Sequence, residues 1–211
     1  VASHGEDFLR ANNAQWIGFS MEIGPGGNVY VLDWHDADIC GKDVLNKETG
    51  RVFRIAPEKS LAKDWKNRYA DLNTLSGSDL VDLQTSPSAW HARRARGILQ
   101  KRAHQGKLNE EVHGRLRDLL EKNPNSDWKL RALWTLHVTG GLTEESLFKL
   151  LDHKDEYLRA WAVQLMTEDQ KASPKTLAKF ATMASEDQSP TVRLYLAAAM
   201  VAADEADAMV A

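Results

Sequence analysis

Cysteine is nearly absent from this chain, because Cys40 is the only one among 211 residues. A single thiol excludes an internal disulfide framework and any zinc or iron–sulfur site built from several cysteines of this segment. It also excludes a Cys-x-x-Cys-His haem attachment within these residues. Long apolar runs are lacking too, since no window approaches the roughly 18 consecutive apolar residues that a transmembrane helix needs. The sequence therefore predicts no membrane span in this segment.

A surplus of basic charge is also lacking. Lys and Arg number 27 against 30 Asp and Glu, the formal net charge is −3, and the basic residues are scattered along the chain. Segments that bind nucleic acid or anionic membranes concentrate their basic residues in a patch or a stripe. We therefore expect no nucleic-acid partner.

Strand-like alternation fills the first quarter of the chain. Residues 19–32 contain an alternating strand, a Pro-Gly-Gly-Asn turn and a β-branched, aromatic strand, a pattern that predicts a β-hairpin. A third strand is predicted at residues 50–55, where Phe53 and Ile55 share one face. Three short strands have too little covered surface to be stable alone. We expect this β-rich segment, residues 1–57, to pack against another structural element.

The apolar spacing becomes helical after the third strand. Residues 58–77 are predicted to form a helical linker, and residues 78–211 a repeating array of helices. Four segments of the array superpose on arginines that lie 38, 28 and 34 residues apart, namely Arg93, Arg131, Arg159 and Arg193. Variable spacing close to the length of one helix pair is typical of a degenerate solenoid.

Each of these arginines opens an apolar helix that follows a partner helix. The partner helices are predicted at residues 79–83, 109–121, 143–151 and 174–185. Capping residues are expected before the arginine-headed helices, at Ser126 or Asp127, at Asp155 and at Ser189. Small residues should let the helices approach closely, at Ala95, Ala132, Ala162 and Ala198.

The helical part resembles HEAT and phycobilisome-lyase-like repeats over about 130 of the 211 residues. One helix pair cannot cover both of its apolar faces, so each pair must pack on the next. The expected fold is therefore an α+β multidomain fragment, in which a short antiparallel β segment precedes an all-α, HEAT-like superhelix of about four helix pairs.

The recurring arginines and tryptophans each allow two interpretations. The arginines form either a basic groove or a structural ladder that pairs with carboxylates such as Asp127 and Asp155, and we favour the ladder. Tryptophans recur near them at Trp90, Trp128, Trp134 and Trp161. An exposed tryptophan stripe would be a ligand platform, whereas tryptophans inside apolar helices are core spacers, which is the interpretation we favour.

The loop at residues 33–43 holds the densest cluster of potential ligands in the chain. The candidates for a metal or cofactor site are Asp33, His35, Asp36 and Cys40. Carboxylates suit a hard cation such as calcium, whereas His35 and Cys40 suit a softer metal. The spacing matches neither an EF-hand nor a His-x-x-x-His zinc site. The alternative is a polar loop in which the aspartates cap turns and Cys40 is buried.

Two stretches resemble the closing blade of a six-bladed propeller of the glucose/sorbosone dehydrogenase type. They are residues 24–34, Gly-Pro-Gly-Gly-Asn-Val-Tyr-Val-Leu-Asp-Trp, and residues 48–55, Glu-Thr-Gly-Arg-Val-Phe-Arg-Ile. With HEAT-like repeats following the blade, the chain is similar to the large secreted "membrane-bound dehydrogenase" proteins of planctomycetes and verrucomicrobia. In that family a propeller precedes HEAT-like repeats and a cytochrome c domain.

The resemblance implies an extracytoplasmic parent, periplasmic or secreted. That parent would be a quinone-dependent sugar or alcohol dehydrogenase, an oxidoreductase using pyrroloquinoline quinone, calcium and haem c. It adds His4, Arg51 and Arg54 as secondary site candidates. Only about one blade is present, so we expect a junction fragment without a complete active site that acts as an interaction scaffold. Its partners would be the missing blades and the downstream domain of the parent, or another protein.

Two alternatives stay open. In a stand-alone HEAT-repeat scaffold the β segment would cap the first helix pair, which would bury Phe19, Met21, Val29, Val31, Phe53 and Ile55. The other alternative is a metal-binding enzyme centred on residues 33–43. A blade removed from its ring predicts instead a bare sheet edge and an uncovered apolar face.

Overall fold

The computed structural model describes residues 3, 5–7, 9–10, 16–34, 49–59, 65, 68–168 and 172–210, with side chains as far as residue 200. These residues form a mixed α+β structure with one three-stranded antiparallel sheet and eight α-helices. The mixed class and the antiparallel sheet predicted from the sequence are confirmed. The chain divides into two compact units, residues 1–71 with 88–91, and residues 72–87 with 92–211.

The sheet has the strand order β1-β2-β3. Its strands are β1 at Gly18–Ile23, β2 at Val29–Asp33 and β3 at Arg51–Ile55. In the first turn the N–H of Gly24 donates to the carbonyl of Asn28 at 3.0 Å. Val31 on the central strand pairs with Met21 on one side and with Phe53 on the other. Within the described part of the chain, β1 and β3 therefore have open outer edges.

The second unit is helical. Its helices are α1 at Gly77–Asp82, α2 at Ala89–His104, α3 at Glu110–Lys122, α4 at Ser126–Val138, α5 at Glu144–Leu150, α6 at Glu156–Thr167, α7 at Pro174–Glu186 and α8 at Pro190–Val210. The first three residues of α2 belong to the other unit. The predicted partner helices correspond to α1, α3, α5 and α7, with ends that differ by two residues at most.

Two of the three predicted caps before arginine-headed helices are confirmed. The carboxylate of Asp155 accepts from the N–H of Tyr157 at 2.9 Å, and the Ser189 hydroxyl accepts from the N–H of Val192 at 3.2 Å. For α4, the prediction of Ser126 or Asp127 is wrong. The cap is Asn125, which accepts from the N–H of Trp128, because the helix already begins at residue 126 and Asn caps as well as Ser or Asp.

The helices pack as successive pairs. Helix α3 packs on α4, α5 on α6 and α7 on α8, while α4 also contacts α6, and α6 contacts α8. Leucines fill the space between them, including the fully buried Leu99, Leu116, Leu133, Leu158 and Leu196. Three of the four small residues expected at close approaches, Ala95, Ala132 and Ala162, are fully buried.

The expectation for Ala198 is wrong, because Ala198 is exposed and its neighbour Ala199 is buried. Consecutive residues of a helix lie about 100° apart around its axis, so one of two neighbours can lie in the core and the other in solvent.

One fully buried polar residue, Gln84, connects three segments of the helical unit. Its Nε2 donates to the carbonyl of Ala92 at 3.2 Å, and its Oε1 accepts from the hydroxyl of Thr135 at 3.1 Å. Gln84 lies in the 3₁₀ turn Leu83–Thr85, ahead of α2, and Thr135 lies on α4. The bonds compensate the cost of burying an amide and a hydroxyl.

Candidate functional site

Asp33, the first candidate of the residue 33–43 loop, belongs to the sheet. Its carboxylate is fully buried, with Oδ1 accepting from the N–H of Ile17 at 2.9 Å and Oδ2 from Nε of Arg51 at 2.6 Å. Asp33 and Arg51 thereby join the end of β2 to the start of β3. An arginine bound to the carboxylate occupies the position that a metal cation would need. Asp33 and Arg51 therefore both have a structural role in the sheet.

The remaining site candidates form no further cluster among the described residues. His4, His35, Asp36 and Cys40 lie outside the described residues. Arg54 is exposed on β3, where it pairs with Tyr30 across the sheet. Among the side chains that the structure describes, no group of three His, Cys, Asp or Glu residues is arranged to hold a metal ion.

The arginines that head the helices bind the loops between helices. Nη1 of Arg159 donates to the carbonyl of His153 at 2.8 Å, and Nη1 of Arg193 to the carbonyl of Asp187 at 2.8 Å, in both cases six residues back. Nη1 of Arg131 instead donates to the carbonyls of Gln84 and Ser86 at 3.1 and 2.7 Å. Arg93 is exposed.

Asp187 is the carboxylate partner in this set. It accepts from Nε and Nη2 of Arg159 at 2.7 and 2.9 Å, and both side chains are largely buried. The hydrogen bonds from Arg159 hold the pKa of Asp187 below its ordinary value. Asp127 and Asp155, the partners suggested by the sequence, act on Arg131 and Arg159 as nearby negative charges.

A row of four large side chains crosses the helical unit, one from each arginine-headed helix. The guanidinium of Arg96 lies 5.3 Å from the ring centroid of Trp134. The ring centroids of Trp134 and Trp161 are 5.0 Å apart in an edge-to-face contact, and those of Trp161 and Tyr195 are 6.4 Å apart. All four side chains are half-buried. We call Arg96, Trp134, Trp161 and Tyr195 the Arg–Trp row.

An arginine cluster lies at the α2 end of this row and consists of Arg93, Arg96 and Arg131. Burial and the positive charges of Arg131 and Arg93 lower the pKa of Arg96. Burial also lowers the pKa of Arg131. The negative charge of Asp127 opposes this shift, and the positive charge of Arg93 adds to it. The three guanidinium groups are therefore close enough to repel one another. Guanidinium groups keep their protons in proteins, so the cluster stays positively charged.

The sequence reasoning found half of the Arg–Trp row. It considered Trp134 and Trp161 as a possible stripe but favoured core positions for all four tryptophans, and all four are half-buried instead. It missed Arg96 and Tyr195. The available signal was position, because Arg96 lies three residues after Arg93, as Trp134 does after Arg131, and Tyr195 lies two after Arg193, as Trp161 does after Arg159.

A cleft of about 690 Å³ lies elsewhere on the helical unit and is lined in part by His137, Glu144 and Glu168. Nε2 of His137 lies 2.6 Å from Oε2 of Glu168. Oε1 of Glu144 accepts from the hydroxyls of Ser173 and Thr176 at 2.7 and 3.2 Å. These polar groups of the cleft are thus paired with one another, so we prefer the Arg–Trp row as the candidate binding site.

The sheet leaves large apolar side chains uncovered. Phe19, Met21 and Ile23 on β1 and Leu32 and Val52 on the other strands are between 43% and 68% exposed. Phe19 and Met21 are two of the six residues whose burial the stand-alone alternative requires, and both side chains are mostly exposed among the described residues.

Comparison with family models, with curated proteins and with solved structures finds no match to this chain. Among the helices that the structure describes, none is long and apolar enough to cross a membrane, as the sequence predicted.

Proposed function

We propose that this chain is a protein-binding scaffold whose helical unit is a HEAT-like superhelix. The observation that carries the proposal is the Arg–Trp row, which places adjoining half-buried aromatic side chains along the neighbouring helices α4, α6 and α8. In this proposal the helical unit supplies the binding surface.

The packing order of the helices supports the HEAT-like arrangement. Helices α4, α6 and α8 are neighbours in one row, and each packs on the partner helix that precedes it in sequence. A solenoid is built in this way, since each repeat covers the apolar side of the next. The bonds from Arg159 and Arg193 to carbonyls six residues back support the same repeat, because they recur at equivalent positions.

The chemistry of the row supports binding of a polypeptide. Trp, Tyr and Arg are the residue types that dominate the energy of protein interfaces, because they offer a large rigid apolar area together with a polar group. The four side chains touch in sequence from α2 to α8. A bound segment could therefore contact several repeats at once.

The sheet unit supports a parent protein of the propeller-plus-HEAT type. Its open edges and exposed apolar side chains suit a blade whose neighbours lie in the rest of a ring. In this proposal the partners are the other blades and the downstream domain, or another protein. The extracytoplasmic location, the oxidoreductase activity and the cofactors pyrroloquinoline quinone, calcium and haem c belong to the proposed parent.

Selection of peptides tests the scaffold proposal. The purified chain is used to select from a phage-displayed library of random peptides, and selected peptides are then measured against two variants. Trp134→Ala should weaken binding by about thirtyfold, because a central interface tryptophan typically contributes 2 kcal/mol or more.

Trp128→Ala is the matched control, because Trp128 is a half-buried tryptophan on the same helix about 120° around the axis from Trp134. Circular dichroism confirms that both variants are folded. The proposal is wrong if no peptide is enriched, or if the selected peptides bind Trp134→Ala as tightly as the unmodified chain.

A further inference from the structure

Within the part of the chain that the structure describes, no arginine of the cluster has an ion pair of the kind that Arg159 forms. Arg159 is paired through two hydrogen bonds with the carboxylate of Asp187. At the equivalent position Arg131 binds two neutral backbone carbonyls, and Arg93 is exposed. Among the described residues, Asp127 is the carboxylate whose charge acts on Arg131.

Two of the three guanidinium groups in the cluster, those of Arg96 and Arg131, are held in place by contacts. Nη1 of Arg131 is held by the carbonyls of Gln84 and Ser86, and Arg96 lies over the ring of Trp134. Arg93 and Arg96 are three residues apart on α2 and so share one face of the helix. Guanidinium groups that are already positioned lose little side-chain entropy when they bind an anion.

The cluster and the aromatic rings form one continuous surface. From Arg96 the contacts pass to Trp134, Trp161 and Tyr195, which lie on three further helices. Neighbouring helix axes are about 8 to 10 Å apart, so the surface from α2 to α8 is about 25 to 30 Å long. An extended peptide of roughly eight residues covers that length. Positive charge lies at one end of the surface and aromatic rings at the other.

The uneven charge of this surface favours a peptide over a nucleic acid. A nucleic-acid strand carries a phosphate at every nucleotide and needs basic residues along its whole path. Here Arg159, the corresponding arginine of α6, is neutralised by Asp187. The chain as a whole has a formal net charge of −3.

We infer that the partner of the Arg–Trp row is an extended acidic peptide segment. Its carboxylates bind Arg93, Arg96 and Arg131 at the α2 end, and its apolar side chains lie on Trp161 and Tyr195. The inference rests on the proposed scaffold function and adds the chemistry of the partner and its direction across the helices.

Fluorescence anisotropy with synthetic probes tests the inference. The first probe is a labelled ten-residue peptide with four glutamates in one half and leucine and phenylalanine in the other. Matched peptides carry glutamine or lysine in place of glutamate, and a ten-nucleotide oligouridylate is the nucleic-acid probe. We expect the glutamate peptide to bind at least about tenfold more tightly than the glutamine peptide, and raised salt to reduce this difference.

Variants assign the preference to the cluster. The double variant Arg93→Gln with Arg96→Gln should weaken binding of the glutamate peptide about tenfold and weaken binding of the glutamine peptide by a clearly smaller factor, because only the glutamate peptide loses ion pairs. Arg94→Gln is the matched control, because Arg94 is an exposed arginine on the same helix, rotated by about 100° from Arg93. It should change neither affinity.

The outcomes separate the inference from the proposed function. If glutamate and glutamine peptides bind equally, or the lysine peptide binds best, the inference is overturned, whereas the scaffold stands provided that Trp161→Ala reduces binding. If oligouridylate binds more tightly than the glutamate peptide, the inference is overturned in favour of a nucleic-acid site. If neither these peptides nor any library peptide binds, both proposals are overturned.

Discussion

The pair formed by Arg159 and Asp187 links α6 to the turn before α8. Only 16% of the Arg159 side chain and 7% of the Asp187 side chain are exposed, so solvent screens the pair weakly. Replacing Asp187 by Asn removes a charge and leaves the guanidinium incompletely paired. We expect Asp187→Asn to lower the free energy of unfolding by about 2 to 3 kcal/mol at pH 7, measured by urea denaturation.

The effect of Asp187→Asn should depend on pH with a defined sign. The pKa of Asp187 is lowered in the folded chain, so its contribution to stability is complete above the ordinary aspartate pKa, near 4. That contribution is lost as the pH falls through the lowered pKa of the folded state. The stability difference between the two proteins should therefore shrink below about pH 4.

Asp118→Asn is the control for the Asp187 prediction. Its partner is Lys122, four residues along α3, and both side chains are mostly exposed. We expect no measurable change in stability from this substitution. A difference for Asp187→Asn that is as large at pH 3 as at pH 7 would contradict the linkage.

Gln84 is the second residue on which the helical unit depends. Gln84→Ala removes one hydrogen-bond partner of the Thr135 hydroxyl and one of the Ala92 carbonyl and leaves a cavity at a fully buried position, although the Thr135 hydroxyl keeps its bond to the carbonyl of Arg131. We expect a loss of about 2 to 3 kcal/mol in the free energy of unfolding.

Gln164→Ala is the matched substitution for Gln84→Ala, because Gln164 is exposed on α6, and it should change stability by less than about 0.5 kcal/mol. Equal effects from the two substitutions would show that the bonds of the Gln84 side chain contribute little.

At the scale of elements, the end of α4 depends on one glycine. Gly140 has a φ of 73°, and the N–H of Gly141 donates to the carbonyl of Leu136 at 2.8 Å, which closes the helix end. A side chain at Gly140 is strained in that conformation. Gly140→Ala should lower the free energy of unfolding by about 1 kcal/mol, and the melting temperature should fall with it.

Gly97→Ala should have the opposite effect. Gly97 lies inside α2, and a Cβ atom there would meet nothing within 4 Å. Alanine in an exposed helix interior stabilises by about 0.5 to 1 kcal/mol relative to glycine. Thermal unfolding of both variants tests the pair, and shifts of the same sign would contradict the assigned role of Gly140.

Most helices, strands and turns could be predicted from the sequence because the residues that define them lie close together in the chain. The Pro-Gly-Gly-Asn turn, the breaker Gly140 and the cap Asp155 each act within a few residues. The cap of α4 was misplaced by one position because Asn125, Ser126 and Asp127 are all good caps. Ala198 was assigned to the core in place of Ala199 because a pattern fixes the helical phase less accurately than packing does.

At the scale of the whole molecule, the candidate site was largely unpredictable because it joins residues that are far apart in sequence. Arg93 and Arg131 are 38 residues apart, and of the two arrangements that the sequence allowed for the recurring arginines, a basic groove and a structural ladder, the ladder was favoured. The loop candidate Asp33 also has a distant partner that the sequence did not indicate. Its position suggested either metal binding or turn capping, and the structure shows its carboxylate bonded to Arg51, 18 residues along the chain.

The uncovered apolar residues of the sheet belong to one unit of the chain, and the half-buried Arg–Trp row belongs to the other. Phe19 and Met21 are 61% and 68% exposed, so the sheet competes with the row as a place where a partner could bind. Any binding measurement must therefore identify the surface as well as the affinity.

Hydroxyl-radical footprinting of the chain, alone and saturated with a library-selected peptide, tests the central claim most directly. Mass spectrometry then gives the oxidation rate of each side chain. The account predicts that bound peptide slows oxidation of Trp134 and Trp161 several-fold and leaves Trp128 unchanged. Unchanged rates at Trp134 and Trp161, with protection at Phe19 and Met21 instead, would contradict it.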